Sequence, residues 1–239
     1  MHDTHCHLDQ IPNPQLYVRQ AELAKSRLIA VTNSPEHYIA SLPHLKDCHF
    51  VKSALGLHPM LASRANVSMV AAFEKCAVNA KFIGEIGLDH STPKAPQKEE
   101  QLWVFNQLLK ALGDGNKLVT LHSRGAETVV LNCLRSFNRK PVVFHWFSGS
   151  ARQLSSVLDD GHYVSLNQAM VRTQKWQELI TIVPKDRVLL ETDAPHTGNQ
   201  VIPGQTSDVL KWLGGHWKVP KSSANTQVES NLDRIWPIN

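Results

Sequence analysis

The sequence predicts an α/β fold, a single-domain TIM (β/α)8 barrel spanning residues 1–239. Three observations predict it. Short β-rich apolar runs recur along the whole chain, each followed by a longer stretch of helical periodicity, so strands alternate with helices as in βαβ units. Most runs are continuous in apolar residues instead of alternating, as parallel strands covered on both faces require. Eight such units in 239 residues suit a closed barrel, and no Gly-x-Gly-x-x-Gly follows the first strand to favour an open dinucleotide-binding sheet.

The first run, Met1 to His7, is polar, and periodicity alone does not make it a strand. The other seven are Arg27 to Thr32, Phe50 to Leu57, Lys81 to Gly87, Lys117 to His122, Pro141 to Phe147, His162 to Leu166 and Arg187 to Thr192. Between them, Gln97 to Leu112 sets Leu102, Phe105, Leu108, Leu109 and Leu112 on one helical face after a Pro-x-x-Pro start. Gly125 to Phe137 and Ser150 to Asp160 behave alike, the latter with Ser150 as N-cap. No repeat, low-complexity stretch or linker divides the chain.

Hydrophobic residues at 42% and charged residues at 19% exclude wholesale disorder. A net charge of +4, without tight Lys/Arg clusters, is a weak signal for nucleic acid. Cys6, Cys48, Cys76 and Cys133 form no Cys-x-x-Cys pair and read as free thiols of a reducing compartment. No basic-then-apolar leader precedes the first strand, and no apolar run approaches the ~18 residues of a membrane span. A cytoplasmic protein without membrane contact is expected.

Catalytic groups of a parallel barrel sit at the C-terminal ends of its strands. Here those ends carry His5, His7, His58, Glu85, His122, His145 and Asp193. One such residue alone reads as a satisfied core or surface side chain; several converging from different strands read as a site. In Asp3-Thr4-His5-Cys6-His7, residues two apart on a strand share a face, so both imidazoles can reach one ion. Glu85 interrupts the apolar run Phe82-Ile83-Gly84-Glu85-Ile86-Gly87, where an ionised carboxylate costs several kcal/mol unless it pairs or binds a cation. Its flanking glycines allow close backbone approach. His122, His145 and Asp193 each end an apolar strand. Four imidazoles and two carboxylates are too many for one tetrahedral ion and about right for two ions sharing a carboxylate.

The blocks Asp3-Thr4-His5-Cys6-His7-Leu8-Asp9, Gly56-Leu57-His58-Pro59, Gly84-Glu85-Ile86-Gly87-Leu88-Asp89, His122-Ser123-Arg124, His145-Trp146-Phe147-Ser148-Gly149 and Glu191-Thr192-Asp193-Ala194-Pro195 resemble, in order, those of the TatD-type metal-dependent deoxyribonucleases. Asn231 to Trp236 is similar to the family's closing Asn-containing helix, so the resemblance covers essentially the whole chain. It implies a TIM-barrel hydrolase of the metal-dependent type, with two divalent ions (Zn, Mg or Mn) and DNA as substrate. By matching position, His5 and His7 would hold one ion and His122 and His145 the other. Glu85 would bridge them, and Asp193 would hold the first ion and act as general base to the attacking water.

Around this set, Arg124 suits a phosphate bidentately or is a surface arginine at a helix start. Ser148 and Gly149 could present a hydroxyl and an N–H to phosphate or simply cap a helix. His58 is either a substrate contact or a structural histidine beside Pro59, and Trp146 either stacks on a base or packs the wall. After Pro195 the run His196-Thr197-Gly198-Asn199-Gln200-Val201-Ile202-Pro203 lacks the arginine that the family pattern carries, so one phosphate contact is missing. Val31-Thr32-Asn33-Ser34-Pro35 is similar to the TatD-like member of the Qat anti-phage defence system, which implies partner proteins from a defence operon. Two other functions remain open: a metallo-hydrolase of the same barrel acting on another ester or amide, and a nucleic-acid-binding subunit with little activity alone.

Overall fold

The computed structural model describes residues 1–113, 115–198 and 202–237. The polar first run and the seven apolar runs all contain strands: β1 (His2–Cys6), β2 (Arg27–Val31), β3 (Val51–Ala54), β4 (Phe82–Gly87), β5 (Leu118–His122), β6 (Val143–Phe144), β7 (Tyr163–Leu166) and β8 (Val188–Leu190). Every pair is parallel, in the orders β1-β2-β3 and β4-β5-β6-β7-β8. The two sheets join at Leu55, whose N–H donates to the Phe82 carbonyl and whose carbonyl accepts from Gly84, both at 2.9 Å. On the opposite side the ends of the ring meet. Asp193 N–H donates to the His5 carbonyl at 2.8 Å, His7 N–H to the Ala194 carbonyl at 2.9 Å, and Thr4 Oγ1 to the Leu190 carbonyl at 3.0 Å.

The polar strand β1 is completely buried, and it tolerates burial because its polar side-chain groups are bonded, with His5 Nε2 the exception. His2 Nε2 accepts from Leu190 N–H at 3.0 Å, and its Nδ1 pairs with Glu229 at 2.8 Å. Asp3 accepts from Thr192 N–H (2.9 Å), Thr192 Oγ1 (2.6 Å) and Gly204 N–H (2.8 Å). Hydrogen-bonded side chains thus stitch the seam.

The helices are α1 (Pro14–Ala24), α2 (Pro35–Leu45), α3 (Val67–Ala77), α4 (Lys98–Leu112), α5 (Glu127–Ser136), α6 (Ala151–Asp159), the short α7 (Gln168–Val171) and α8 (Gln174–Leu179), then α9 (Ser207–Trp217) and α10 (Lys221–Asp233). The buried face of α4 carries Val104, Phe105, Leu108, Leu109 and Leu112, while the predicted Leu102 is only half-buried at its edge. Ser150 caps α6 as predicted. It accepts from Gln153 N–H while the Gln153 side chain accepts from Ser150 N–H, a reciprocal capping box.

At the N-terminal mouth α10 forms a floor. Leu232 and Ile235 join Ile29, Val31, Phe82, Leu118, Val143, Tyr163 and Leu189 in one apolar cluster. Asn231 Nδ2 donates to the carbonyls of Lys185 and Val188, both at 2.8 Å. The predicted closing segment, Asn231 to Trp236, contributes only its first three residues to this helix.

Two further differences have local causes. β6 keeps two residues of the predicted Pro141–Phe147 because Trp146 takes a φ of 37° and turns the chain just after His145. Gly84 and Gly87 do allow the close approach expected around Glu85. A Cβ on Gly87 would stand 1.9 Å from the His122 carbonyl oxygen, and one on Gly84 2.3 Å from Thr120 Cγ2. All four cysteines are free thiols. No helix among the described residues is long and apolar enough to cross a membrane.

Candidate metal centre

The strand ends converge. His5 and His7, two residues apart at the end of β1, face Glu85 from β4 and Asp193 just after β8. The Oε2 atom of Glu85 lies 3.6 Å from both His5 Nε2 and His7 Nε2. Asp193 Oδ1 lies 3.7 Å from the first and 3.4 Å from the second. Tetrahedral donors each ~2.1 Å from one ion stand ~3.4 Å apart, so this set has the spacing of ligands and not that of hydrogen bonds. His5 Nε2 and Asp193 Oδ1 are buried without any hydrogen-bond partner, a costly arrangement that a cation relieves. Burial and the facing His145 hold His5 below the usual imidazole range, leaving it neutral with a lone pair to offer.

The other oxygen of Glu85 serves a second set. Oε1 lies 2.7 Å from His122 Nδ1 and 2.9 Å from His145 Nε2, and the His145 ring stacks on His5 with centroids 3.8 Å apart. These are hydrogen-bond distances; His122, His145 and Glu85 could hold an ion there only by giving up the shared protons and opening the set by several tenths of an ångström. Burial alone would raise the Glu85 carboxyl, but the facing His58, His145 and His122 hold it well below the usual carboxylate range. Glu85 is therefore an ionised carboxylate with one oxygen on each side. The donor set fits a divalent-metal centre.

His58 joins this arrangement more closely than a remote substrate contact would. Its Nε2 is 3.6 Å from Glu85 Oε2 and its Nδ1 accepts from Met60 N–H at 3.1 Å. Burial pushes its pKa down to about 4, and His58, Glu85 and His122 are spaced as a further potential ligand group. Arg124 and Trp146 line the open cavity of about 760 Å³ above the histidines. Ser148 lines it too, but its hydroxyl donates to Glu127 at 2.6 Å, and its carbonyl takes the Lys175 ammonium. The Ser148 proton is thus committed away from a phosphate. Of the arginine-free run after Pro195, Asn199, Gln200 and Val201 lie outside the described residues.

Three buried residues support the ligands without having been singled out by sequence. Thr120 Oγ1 meets His5 Nδ1 at 2.9 Å. Asp89 Oδ2 meets His122 Nε2 at 2.9 Å. Glu191 accepts from Trp146 N–H, Asn167 and Ser165, and stands 3.7 Å from His145 Nδ1. The desolvation argument that singled out Glu85 applies equally to Glu191, a carboxylate after Val188-Leu189-Leu190, and would have found it.

Comparison with known proteins agrees with this geometry. A family model described as TatD related DNase matches residues 2–237. The uncharacterized metal-dependent hydrolase YjjV of Escherichia coli K12 is 30% identical over 204 residues, 81% of this chain and 78% of that protein. The 3'-5' ssDNA/RNA exonuclease TatD of Erwinia amylovora is 31% identical over 175 residues, covering 70% and 67%. The crystal structure of YjjV superposes with a TM-score of 0.85 at 26% identity, over 100% of this chain and 98% of that one.

Proposed function

The chain belongs to the TatD-related DNase family of metal-dependent hydrolases, and from that premise we propose that it hydrolyses DNA phosphodiester bonds at a two-ion site. The observation that carries the reading is the division of Glu85, one oxygen toward His5 and His7 and the other toward His122 and His145. Two divalent ions, Zn, Mg or Mn, would acidify the attacking water and polarise the phosphate.

The chain's own groups do the rest. Asp193 Oδ1, buried and without a hydrogen-bond partner, accepts the proton of the attacking water as general base. Arg124, on the cavity wall, binds the scissile or neighbouring phosphate through its guanidinium. The relative named a 3'-5' ssDNA/RNA exonuclease makes single-stranded DNA the first substrate to try. The segment Val31–Pro35, from the end of β2 to the start of α2, supports a role in anti-phage defence alongside operon partners through its resemblance, and the free thiols support a cytoplasmic setting. Phage plating on cells with and without the intact gene set tests the former.

The direct test is to strip the protein with chelator, restore Mg²⁺, Mn²⁺ or Zn²⁺, and incubate it with end-labelled single- and double-stranded DNA. EDTA abolishes cleavage and added ion restores it. Cleavage that survives exhaustive chelation refutes the proposal.

A further inference from the structure

Each imidazole facing Glu85 has a second ring nitrogen pointing away from it, and the partner of that nitrogen decides which tautomer the ring holds. His5 has a threonine hydroxyl there, His7 has the Gln10 amide at 3.2 Å, and His145 Nδ1 has no hydrogen-bond partner. His122 alone among these four meets a carboxylate, Asp89, at hydrogen-bond distance.

Asp89 is built for that one contact. Its Oδ1 is taken by Ser91 N–H (2.8 Å) and Ser91 Oγ (2.7 Å), leaving Oδ2 for His122 Nε2. Its backbone is clamped by the buried Gln101, whose Oε1 accepts from Asp89 N–H at 2.8 Å and whose Nε2 donates to the Asp89 carbonyl at 2.9 Å. An ionised carboxylate only accepts, so the ring nitrogen facing it must carry a proton.

We propose that Asp89 is a positioning residue that holds the His122 proton on Nε2 and thereby turns the Nδ1 lone pair onto the second ion site. Without Asp89 the ring is free to rotate or to keep its proton on Nδ1, and the second site loses a ligand while the first keeps all of its own.

This role rests on the two-ion reading, and one experiment separates the two. Chelator-stripped wild type, Asp89→Ala and Asp89→Asn are titrated with Zn²⁺ by calorimetry, and bound metal is counted by mass spectrometry. Wild type takes two ions. Asp89→Ala keeps the first binding constant and weakens the second by about 10- to 100-fold, the usual effect of losing such an outer partner. Asp89→Asn, nearly isosteric and so insured against misfolding, weakens the second by about tenfold because its amide oxygen accepts without charge. One ion per wild-type chain refutes the two-ion reading and this role with it. Two ions in wild type with an unchanged second constant in the folded variants, or equal weakening of both constants, refutes the role of Asp89 alone.

Discussion

Replacing Asp193 by asparagine isolates the proton-accepting function from everything else that residue does. Its backbone has φ of 48°, a left-handed conformation that asparagine tolerates and alanine does not, at a cost of about 1–2 kcal/mol for the latter. Asp193→Asn therefore preserves the seam bond to the His5 carbonyl and the turn bond from His196 N–H at 2.7 Å. It keeps an oxygen facing His5 and His7 but removes the basic lone pair and the negative charge. Loss of a general base lowers kcat by at least ~10²-fold, equivalent to about 2.7 kcal/mol in the barrier, with KM changed far less. The assay is steady-state cleavage of end-labelled DNA, with metal content measured on the same sample because the lost charge also weakens the first ion. An Asp193→Asn protein with full metal occupancy and normal turnover would refute Asp193 as the base.

Three further outcomes follow from the geometry. Arg124→Ala raises KM and makes the logarithmic salt dependence of binding shallower by about one unit, since one phosphate contact is lost; an unchanged salt slope places Arg124 off the substrate path. The arginine missing after Pro195 leaves the isolated chain roughly ten- to a hundredfold weaker on generic DNA ends than a relative that carries it, from a charge-assisted bond of about 1.5–3 kcal/mol. Matched competition binding of the two proteins decides this, and equal affinities refute it. Burial lowers His162 to about 4 from an ordinary 6.5, and its Nδ1 accepts from Val142 N–H. The unfolded chain therefore binds the extra proton, and stability falls as pH drops from 6.5 through about 4, by up to ~3 kcal/mol. Urea melts of His162→Asn, which keeps an acceptor but does not titrate, lack this part of the slope; identical slopes in both proteins overturn the assignment.

The strands that face apolar neighbours on both sides were legible because continuous runs such as Leu28 to Val31 have only one economical use, and all four of those residues are buried. β1 was not legible by the same logic. Its burial is made tolerable by Thr192, Gly204, Leu190 and Glu229, partners 188 to 227 positions away. His7, Glu85, His122, His145 and Asp193 line one cavity and His5 lies buried beside them, because barrel geometry brings every strand end to the same mouth. The supporting tier was harder to see. Asp89 was visible as part of a motif, yet its purpose depends on which ring nitrogen of His122 it meets, and the choice for Ser148 between a phosphate contact and a helix cap could not anticipate Glu127, which takes its proton. Pairings across helices and strands leave no periodic trace in a sequence.

The seam has a consequence for how the molecule is born. Thr4 and Leu190 are 186 residues apart in the chain, so during synthesis the outer edge of β1 waits, unpaired, until β8 has emerged from the ribosome. His5 and His7 precede Asp193 by 188 and 186 residues, so these three candidate ligands come together only when the ring closes. A divalent ion held there would act as a clasp: having little hold on the open half-barrel, it would favour the closed ring by RT ln(1 + [ion]/Kd), about 2.7 kcal/mol at a hundred times Kd. Metal supply during translation would then set how long that sticky edge stays available to neighbouring chains.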